Sequence, residues 1–284
     1  MISPTDAIDV VSGWLAESEC VLIGAGAGLS AAAGIDYTDQ KTFARLFPAL
    51  VRKGFRAQYQ LIGFEDWAPA EKWGYWATHV NHVRFGEDRR DVYRQLRELT
   101  LEKDTFVITS NVDALFARNG FDESKLYTPQ GDYARLQCCT PCVRTTWPTK
   151  PVIDRILSTL DPETQAVSDP DAVPRCPSCG GKVFMNVRLD NAFLDDPYEE
   201  QAKRLERWLA ANRERRLLVL ETGAGFNTPS VIRWPMERLV AKWPGARLVR
   251  INLTEADVPK QLGARALGIR GHAGAVIQQL VSAP

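Results

Sequence analysis

Five of the six cysteines lie between positions 138 and 179, and their pairing is typical of a structural zinc site. Cys176 and Cys179 are separated by two residues and are followed by Gly180 and Gly181, a turn that presents both sulfurs to one ion. Four thiolates complete the tetrahedral coordination of zinc and leave no position for a substrate. The predicted metal would therefore hold the structure and take no part in the chemistry.

The other cysteine pair is ambiguous from its spacing. Cys139 and Cys142 are separated by the usual two residues, whereas Cys138 and Cys142 are separated by three. The alternative to a metal site is a set of scattered buried thiols, and five clustered cysteines make it the weaker interpretation. Cys20 stands apart in an apolar run and is predicted to be a core residue.

A glycine-rich loop is the second group of residues with a chemical use. The apolar run 20–23 is followed by Gly24, Gly26 and Gly28, and small residues continue to Gly34. Glycine lets backbone amides approach a pyrophosphate closely, and the start of the following helix favours the anion. The loop lacks the last glycine of the dehydrogenase fingerprint, and close packing would also require small residues. Its place in the first strand, loop and helix favours nucleotide binding.

An amide and a carboxylate follow a later apolar run. The run 105–109 is succeeded by Ser110, Asn111 and Asp113. If this run is a buried parallel strand, the polar groups lie at the carboxyl end of the sheet, where ligands bind in such folds. Asn111 or Asp113 could equally cap a helix. The sequence alone does not separate the two roles.

The elements that must position these groups alternate along the chain. Helical patterns follow four apolar runs that predict buried parallel strands, at 20–23, 105–109, 217–220 and 248–251. Helix starts are predicted where a hydroxyl precedes a proline, at Ser3-Pro4 and Thr228-Pro229. The alternation predicts an α/β fold with a doubly wound parallel, Rossmann-like sheet.

Two inserts interrupt the alternation. Residues 38–100 carry many aromatic side chains at helical spacing and predict a helical insert. His79 and His82 lie there without a third ligand, so a metal site is the weaker interpretation of this pair. Residues 133–187 hold the clustered cysteines and predict a small zinc-binding module. The Rossmann-like domain would then comprise the remaining segments, 1–37, 101–132 and 188–284.

Composition argues against several classes of protein. Of 284 residues, 45% are hydrophobic, which is ordinary for a globular protein. Lys and Arg total 35 and Asp and Glu total 35, and the zero net charge argues against a nucleic-acid partner. No apolar run approaches the roughly 20 residues that span a bilayer, and the N-terminus lacks a signal-peptide pattern. We expect a cytoplasmic protein with no membrane partner.

Together these motifs resemble those of the sirtuin family, in the same order and over nearly the whole chain. The segment from Gly26 to Ile35 resembles the first NAD loop of the family, and 109–113 resembles its Thr-Gln-Asn-Ile-Asp motif. The cysteine pairs fall where sirtuins carry a zinc insert, and Ile251-Asn252 resembles the Ile-Asn that contacts the adenosine ribose. The resemblance implies NAD as co-substrate and zinc as a structural metal.

The chain departs from the sirtuin deacylases at four points. Their His-Gly before the zinc insert, whose histidine is the general base, is replaced by Gln130-Gly131. Their Val-Val-x-Phe-Gly-Glu strand is replaced by 186–191, which includes Arg188. The Pro-Asp-Phe-Arg of their cofactor loop corresponds to Asp-Tyr-Thr-Asp at 36–39, and their late Gly-Thr-Ser is replaced by 221–229.

These departures resemble the class M sirtuins, the macrodomain-linked branch. The strings that carry the resemblance are Gln-Gly-Asp-Tyr at 130–133 and Gly-Phe-Asn-Thr-Pro at 225–229. Known members of this branch act as protein ADP-ribosyltransferases, some of them on lipoylated carrier proteins. The resemblance implies a protein acceptor, with a lipoylated carrier and a macrodomain hydrolase as partners. Counted from Gln130, its register selects four zinc ligands, Cys138, Cys142, Cys176 and Cys179.

The resemblance also implies the role of each site residue. Asn111 would hold the nicotinamide ribose, Asp113 the nicotinamide amide, and Gln130 the ribose hydroxyls or the acceptor. Arg188 would favour an acidic acceptor or an anionic modification. Neither Asn111 nor Gln130 is expected to be needed for folding, because each would face the cleft. The residues predicted to bind NAD are Gly26, Ala27, Gly28, Ser30, Ala31, Asp36, Tyr37, Ser110, Asn111, Asp113, Gln130, Thr222, Gly223, Gly225, Asn227 and Asn252.

The glutamine separates the candidate activities. Deacylation needs a base that activates a ribose hydroxyl, and a glutamine side chain accepts no proton near neutral pH. Transfer of ADP-ribose to a carboxylate needs no such base, since the nucleophile is already ionised. The predicted activity is therefore NAD-dependent protein mono-ADP-ribosyl transfer of the sirtuin type. The alternatives are an NAD-dependent protein-lysine deacylase, an NAD glycohydrolase and an NAD-binding sensor without turnover.

Overall fold

Parallel strands form the main sheet of the computed structural model, which describes residues 4–86 and 90–283. In this part of the chain the strands are β1 (Cys20–Ala25), β2 (Asp104–Thr109), β3 (Leu126–Tyr127), β4 (Gly131–Cys138), β5 (Trp147–Pro148), β6 (Val183–Val187), β7 (Leu217–Thr222), β8 (Ala246–Asn252) and β9 (Ala266–Arg270). The main sheet has the order β3-β2-β1-β7-β8-β9, and each of its neighbouring strands is paired in parallel.

Helices cover both faces of this sheet. The α-helices of the described residues are α1 (Pro4–Glu17), α2 (Ala27–Ala32), α3 (Gln40–Leu46), α4 (Pro48–Arg52), α5 (Pro69–Arg84), α6 (Asp91–Leu99), α7 (Leu115–Arg118), α8 (Lys150–Leu157), α9 (Glu199–Ala211), α10 (Arg233–Lys242) and α11 (Ala273–Ser282). Side chains of α9 and α10, among them Trp208 and Met236, pack with Leu22 and Val219 of the strands on one face. Helix α11 packs against α1, α2, α6 and β8. The doubly wound α/β fold predicted from the alternation is confirmed.

The four apolar runs form the four central strands. All six residues of β1 are buried, because β2 and β7 flank it and helices lie above and below. Cys20 starts this strand and is fully buried, as predicted, and burial raises the pKa of its thiol to about 11. The same interior position explains why the run reads as continuously apolar, with no alternation of polar side chains.

The sequence pattern misses the two edge strands and misplaces one helix start. Strand β3 has only two residues, and β9 is half-exposed, so neither produces an apolar run. The Thr228-Pro229 start is wrong: these residues form a turn, and α10 begins at Arg233. Helix α1 does begin at Pro4, while Ser3, the predicted cap, lies outside the described residues.

The chain divides into two compact units. The first combines Met1–Gly34, Asp88–Gly131 and Tyr198–Pro284, and it contains the six-stranded sheet. The second combines Ile35–Glu87 with Asp132–Pro197. The division proposed from the sequence, with inserts at 38–100 and 133–187, remains a proposal. Helix α6, which the proposed division places in the helical insert, belongs to the first unit together with the main sheet.

The second unit has an aromatic core and a small sheet of its own. Phe43, Phe47 and Tyr75 are buried together with rings about 5 Å apart, the separation of Phe43 and Phe47 being 5.3 Å. Strands β5, β4 and β6 form its three-stranded sheet in that order. His79 is buried among aromatic rings, 5.1 Å from Tyr37, and burial lowers the pKa of its imidazole to about 3. It is therefore neutral at physiological pH.

A buried ion network joins β7, β8 and α10 in the first unit. Arg250 faces Glu221 across the strand pair and donates two hydrogen bonds to its carboxylate, at 2.6 and 2.8 Å. Arg250 also donates to Glu237 at 2.7 Å, and Arg233 lies 3.8 Å from Glu221. Burial raises the pKa of Glu221, and the hydrogen bonds and charge of Arg250 oppose that rise. The sequence analysis did not anticipate this network.

Removing Arg250 is expected to destabilise the fold strongly. Arg250→Met would leave the Glu221 carboxylate buried without its bidentate partner, and the free energy of unfolding should fall by about 3–5 kcal/mol. Arg247→Met is the matched control, because Arg247 lies on the same strand but pairs with Glu17 at the surface. Its loss should cost no more than about 1 kcal/mol. Urea denaturation of both variants tests the difference, and equal losses would contradict the network's role.

Candidate functional site

The topology brings two loops together at the middle of the sheet. From β1 the chain proceeds outward through β2 and β3, and from β7 it proceeds in the other direction through β8 and β9. The order of strands therefore reverses between β1 and β7. In doubly wound folds, ligands bind at this reversal, in the crevice outside the carboxyl ends of the strands. The loops that follow β1 and β7 begin there.

Backbone packing between these two loops explains their glycines. A Cβ added to Gly26 would lie 2.7 Å from the Cα of Ala224, and one added to Gly28 would lie 2.7 Å from the Cα of Gly223. Gly223 has a φ of +65°, and its carbonyl accepts the N–H of Gly28 at 2.9 Å. Close packing, the alternative considered from the sequence, is therefore present. Ala27 and Gly28 nevertheless remain exposed at the start of α2.

Asp113 joins the start of α7 to helix α2. Its Oδ1 accepts the N–H of Leu115 at 2.9 Å, two residues ahead, which is a local turn bond. The N-cap of α7 is Ala114, which has a left-handed φ of 55° and no side-chain cap bond, so the capping role considered for Asp113 is not realised. The Oδ2 of Asp113 accepts the hydroxyl of Ser30 at 2.5 Å. Two predicted site residues, one after β2 and one in α2, are thus joined directly.

Asn111 links the loops after β1 and β2. Its Nδ2 donates to the carbonyl of Gly26 at 3.0 Å, and its own N–H is held by the Thr109 hydroxyl at 3.0 Å. The residue is only 8% exposed. The expectation that Asn111 is dispensable for folding therefore needs correction, because its side chain satisfies a backbone carbonyl of the glycine loop.

Tyr93 is a member of this cluster that the sequence analysis missed. It is fully buried on α6, and its hydroxyl lies 3.5 Å from that of Ser30. Burial, and then the charge of Asp113, raise the pKa of Tyr93 well above the ordinary value. The phenol therefore stays protonated and provides a neutral polar group beside the carboxylate. In sequence it belongs to an apolar stripe of a helix, which gives no signal of a polar role.

Gln130 lies in a tight turn just beyond β3. The carbonyl of Thr128 accepts the N–H of Gly131 at 3.0 Å, and Gly131 has a φ of 99°, which favours glycine. Strand β3 pairs with β2 through Tyr127 and Ile108, so Gln130 and Asn111 follow paired strands at the same edge of the sheet. Gln130 is half-buried.

The loop after β7 is held by the start of the loop after β8. Asn252 donates its Nδ2 to the carbonyl of Ala224 at 3.0 Å, and its Oδ1 accepts the N–H groups of Thr254 and Glu255. Asn227 and Phe226 are exposed in the first of these loops, and Gly225 is half-buried. The carboxamide of Asn252 is thus engaged with the protein itself.

Thr222, also predicted to bind NAD, ends strand β7 and is fully buried. Its Oγ1 has no hydrogen-bond partner among the described residues. Ser110 and Ala31 are partly exposed, and the Ser110 N–H donates to the carbonyl of Ala25 at 3.0 Å.

Three predicted site residues belong to the second unit. Asp36 accepts the N–H and the hydroxyl of Thr38, at 2.8 and 2.7 Å, which shapes the predicted cofactor loop. Tyr37 contacts the buried His79 ring edge-on. Arg188 stacks over Phe193 at 4.4 Å and lies 3.9 Å from a carboxylate oxygen of Asp195. The charge predicted to select an anionic group therefore already has partners.

The structure brings four cysteine sulfurs into one cluster. The sulfurs of Cys138, Cys142, Cys176 and Cys179 all lie within 4.8 Å of one another. Two of the separations are 3.8 Å and 3.5 Å. Zinc–sulfur bonds of about 2.3 Å in a tetrahedron place sulfurs about 3.8 Å apart, so the cluster fits zinc. Cys139 is outside it, with its N–H donating to the carbonyl of Lys182.

The turn at the second cysteine pair favours the thiolate that a metal needs. Burial would raise the pKa of Cys176, but backbone N–H groups of Cys179 and Ser178 and the neighbouring thiols hold it at about 6. The turn is closed by bonds between Cys176 and the backbone of Gly180 and Gly181 at 2.8 Å. The backbone of the turn therefore favours the thiolate of Cys176, the form that binds a metal.

Relatives identified by sequence are named as ADP-ribosyltransferases. A Fusarium oxysporum f. sp. cubense protein named probable bifunctional ADP-ribose hydrolase/ADP-ribosyltransferase is 37% identical over 264 residues, which cover 90% of this chain and 44% of that protein. A Staphylococcus aureus protein ADP-ribosyltransferase is 24% identical over 273 residues, covering 94% and 84%. This chain therefore spans less than half of the Fusarium protein. No protein-family model matches this chain.

Solved structures share the fold at low identity. A Sir2 homologue mutant in complex with ADP-ribose has a TM-score of 0.59 and 20% identity, with 96% of this chain and 94% of that chain covered. A Sir2 homologue–NAD complex has a TM-score of 0.58 and 19% identity, with 96% and 92% covered. The architecture of this chain is therefore similar to theirs from end to end.

Zinc content should distinguish Cys138 from Cys139. Cys138→Ser removes a clustered sulfur and should lose the metal and lower the melting temperature, because three thiolates no longer close the site. Cys139→Ser is the matched control and should retain about one zinc per chain. Metal analysis of both purified variants, with thermal denaturation, tests this. Loss of zinc from Cys139→Ser alone would contradict the ligand set.

Proposed function

The chain is a sirtuin by fold, and we propose from this premise that it is an NAD-dependent protein mono-ADP-ribosyltransferase. It would release nicotinamide and transfer ADP-ribose to a protein acceptor. Similarity to Sir2 structures and to proteins named ADP-ribosyltransferases supports the proposal. Because the chain spans only part of its Fusarium relative, activity, substrates and partners are all proposals for this chain.

The observation that carries the proposal is the glutamine at position 130. Gln130 lies in a turn at the carboxyl edge of the main sheet. The resemblance in sequence aligns it with the general base of the sirtuin deacylases. A carboxamide orients a hydroxyl but takes no proton near neutral pH. The step that completes deacylation is therefore handicapped at this position, whereas binding and orientation of a ribose are not.

Transfer of ADP-ribose to a carboxylate requires no general base among the proposed site residues. An acceptor carboxylate oxygen forms a bond to the ribose C1′ while the bond from C1′ to the nicotinamide nitrogen breaks. The electron pair of the broken bond stays on that nitrogen and neutralises the pyridinium. The acceptor brings no proton that must be removed. This chain's part is to hold the ribose and the leaving amide, for which we propose Asn111, Asp113 and Gln130.

The cofactor residues form three groups in this proposal. The exposed Ala27 and Gly28 at the start of α2 would face the pyrophosphate, with Ser30 and Asp113 behind them. The loop after β7 and Asn252 would take the adenosine half. We further propose, from the resemblance, that Asp36 and Tyr37 take part in cofactor binding and that Arg188 favours an acidic acceptor.

Three kinds of partner are proposed, from a general protein acceptor to one particular class of acceptor. A protein acceptor is supported by the name of the Staphylococcus aureus relative, a protein ADP-ribosyltransferase. A hydrolase that removes ADP-ribose is a proposed partner, since the Fusarium relative pairs the two activities in its name. A lipoylated carrier protein as acceptor is supported by the class M resemblance alone. Among the described residues, no helix is long and apolar enough to cross a membrane.

A deacylase is the second candidate, because one more relative is named as such. An NAD-dependent protein deacetylase 1 from Pyrobaculum aerophilum is 27% identical over 256 residues, covering 88% of this chain and 85% of that protein. Incubation with labelled NAD and cell lysate separates the candidates. Label on protein supports transfer, label in free ADP-ribose supports a glycohydrolase, and bound but intact NAD supports a sensor.

Gln130→Ala is expected to abolish labelling of protein acceptors by labelled NAD. The side chain of Gln130 is only half-buried, so the melting temperature should stay within a few degrees of the wild type. Gln279→Ala, at an exposed position of α11, is the matched control and should label at the normal rate. Gln130→Ala that labels acceptors normally would make Gln130 a bystander.

Deacylation of an acetyl-lysine peptide is expected to be absent or very weak. Loss of a general base typically costs about 100- to 10,000-fold in rate, and Gln130 supplies none. Gln130→His restores an ionisable group at this position and should raise any residual rate. The measurement is NAD-dependent release of acetyl-ADP-ribose by both proteins. Robust turnover by the wild type would overturn the assignment of Gln130.

A further inference from the structure

Phe226 is an exposed aromatic residue that the proposed chemistry leaves unused. It lies in the loop after β7 and is 57% exposed, although large apolar side chains are usually covered. Its ring does not project freely into solvent. The guanidinium carbon of Arg233 lies 4.2 Å from the ring centroid, and Arg233 itself is only 2% exposed. One face of the ring is therefore covered, and the exposure belongs to the remainder of the ring.

The cation behind this ring is fixed by the protein. Arg233 donates through Nη1 to the carbonyls of Ala224 and Glu255, at 2.9 and 3.0 Å. It also lies 3.8 Å from the buried carboxylate of Glu221. A guanidinium with these partners does not move away, so the cation–π contact sets the plane of the ring.

The backbone at Phe226 is fixed as well. Its N–H donates to Oε2 of Glu255 at 3.2 Å, and a Cβ on Gly225 would lie 3.1 Å from the same oxygen. Asn252 holds the preceding carbonyl of Ala224. The loop therefore presents the ring with little conformational freedom left to lose when a ligand binds, which favours affinity.

The position of the ring indicates what would stack on it. It follows β7 and contacts residues of the loop after β8, at the carboxyl edge beside the strand reversal where nucleotides bind in doubly wound folds. A purine base is a flat π system with the dimensions of such a platform. Stacking of a base on an aromatic side chain stabilises binding without requiring a particular hydrogen-bond pattern.

We propose that Phe226, backed by Arg233, is the platform on which the adenine base of the dinucleotide stacks. The inference deepens the proposed function, on which it rests, by naming the residue that distinguishes the adenosine half from the nicotinamide half. The stacking face of Phe226 is created by the buried guanidinium behind it. An apolar side chain of an acceptor protein is the alternative occupant of the same ring.

Binding of the two halves of NAD tests this separately. AMP carries the adenine and NMN carries the nicotinamide, so calorimetric titration of each isolates one half. Phe226→Ala should weaken AMP and ADP-ribose by about 5- to 150-fold, which corresponds to about 1–3 kcal/mol of stacking, and should leave NMN unchanged. Phe226→Trp keeps an aromatic face and should bind AMP within about threefold of the wild type.

Leu101→Ala is the matched control, because Leu101 is 63% exposed and precedes the opposite, amino end of β2. It should bind both halves normally. AMP binding to Phe226→Ala at wild-type strength would overturn the inference, as would equal weakening of AMP and NMN. Reduced acceptor labelling with unchanged AMP binding would assign the ring to the acceptor and also overturn it.

The same titrations separate this inference from the proposed function. If the wild type binds AMP through Phe226 but labels no acceptor, the stacking platform stands and the transferase activity fails. If the wild type labels acceptors and Phe226→Ala binds AMP normally, the transferase stands and the platform fails. If the wild type binds neither AMP nor NMN, both are overturned.

Discussion

The close approach of the loops after β1 and β7 is the constraint on which the candidate site depends. Gly26, Gly28 and Gly223 bring two backbones so near that an added Cβ at either of the first two would lie 2.7 Å from the facing chain. This approach places the Gly26 carbonyl where Asn111 can bond to it, and the Ala224 carbonyl where Asn252 can. The amides and carboxylate of the site are therefore aligned by backbone geometry more than by their own contacts. Such preorganised dipoles are effective where charge develops during a reaction.

A buried ion pair lies beneath one of these two loops. The carboxylate of Glu221 and the guanidinium of Arg250 neutralise each other across neighbouring strands, beneath the loop that Arg233 holds. A buried pair of this kind is expensive to desolvate, and its worth lies in the single arrangement it permits. Arg233, whose guanidinium lies 3.8 Å from Glu221, donates to the carbonyls of Ala224 and Glu255 and lies against the ring of Phe226.

Much of the fold could be predicted from periodicity, whereas the residues of the candidate site were proposed from motifs. The central strands carry continuous apolar runs, because parallel strands are buried on both faces. The spacing of the cysteines predicts a metal site but does not choose between Cys138 and Cys139, and the structure gathers the sulfurs of Cys138, Cys142, Cys176 and Cys179. Edge strands β3 and β9 could not be found, because short or half-exposed strands lack that signal. Tyr93 and Arg233 could not be assigned roles, since a buried phenol or guanidinium is recognised only by what it contacts. The support that Asn111 gives to the Gly26 carbonyl, beside its proposed role toward the ribose, likewise has no signal in the sequence.

The cysteine cluster has a consequence for the chain's conformational entropy. Cys142 and Cys176 are 34 residues apart, and one ion shared between them would close that stretch into a loop. A covalent cross-link over a loop of this length restricts the unfolded chain by about 4 kcal/mol in the chain-entropy model. Metal affinity adds to folding free energy in the same manner, since the unfolded chain has no preformed site. The supply of zinc in the cell would then govern what fraction of the molecules is folded.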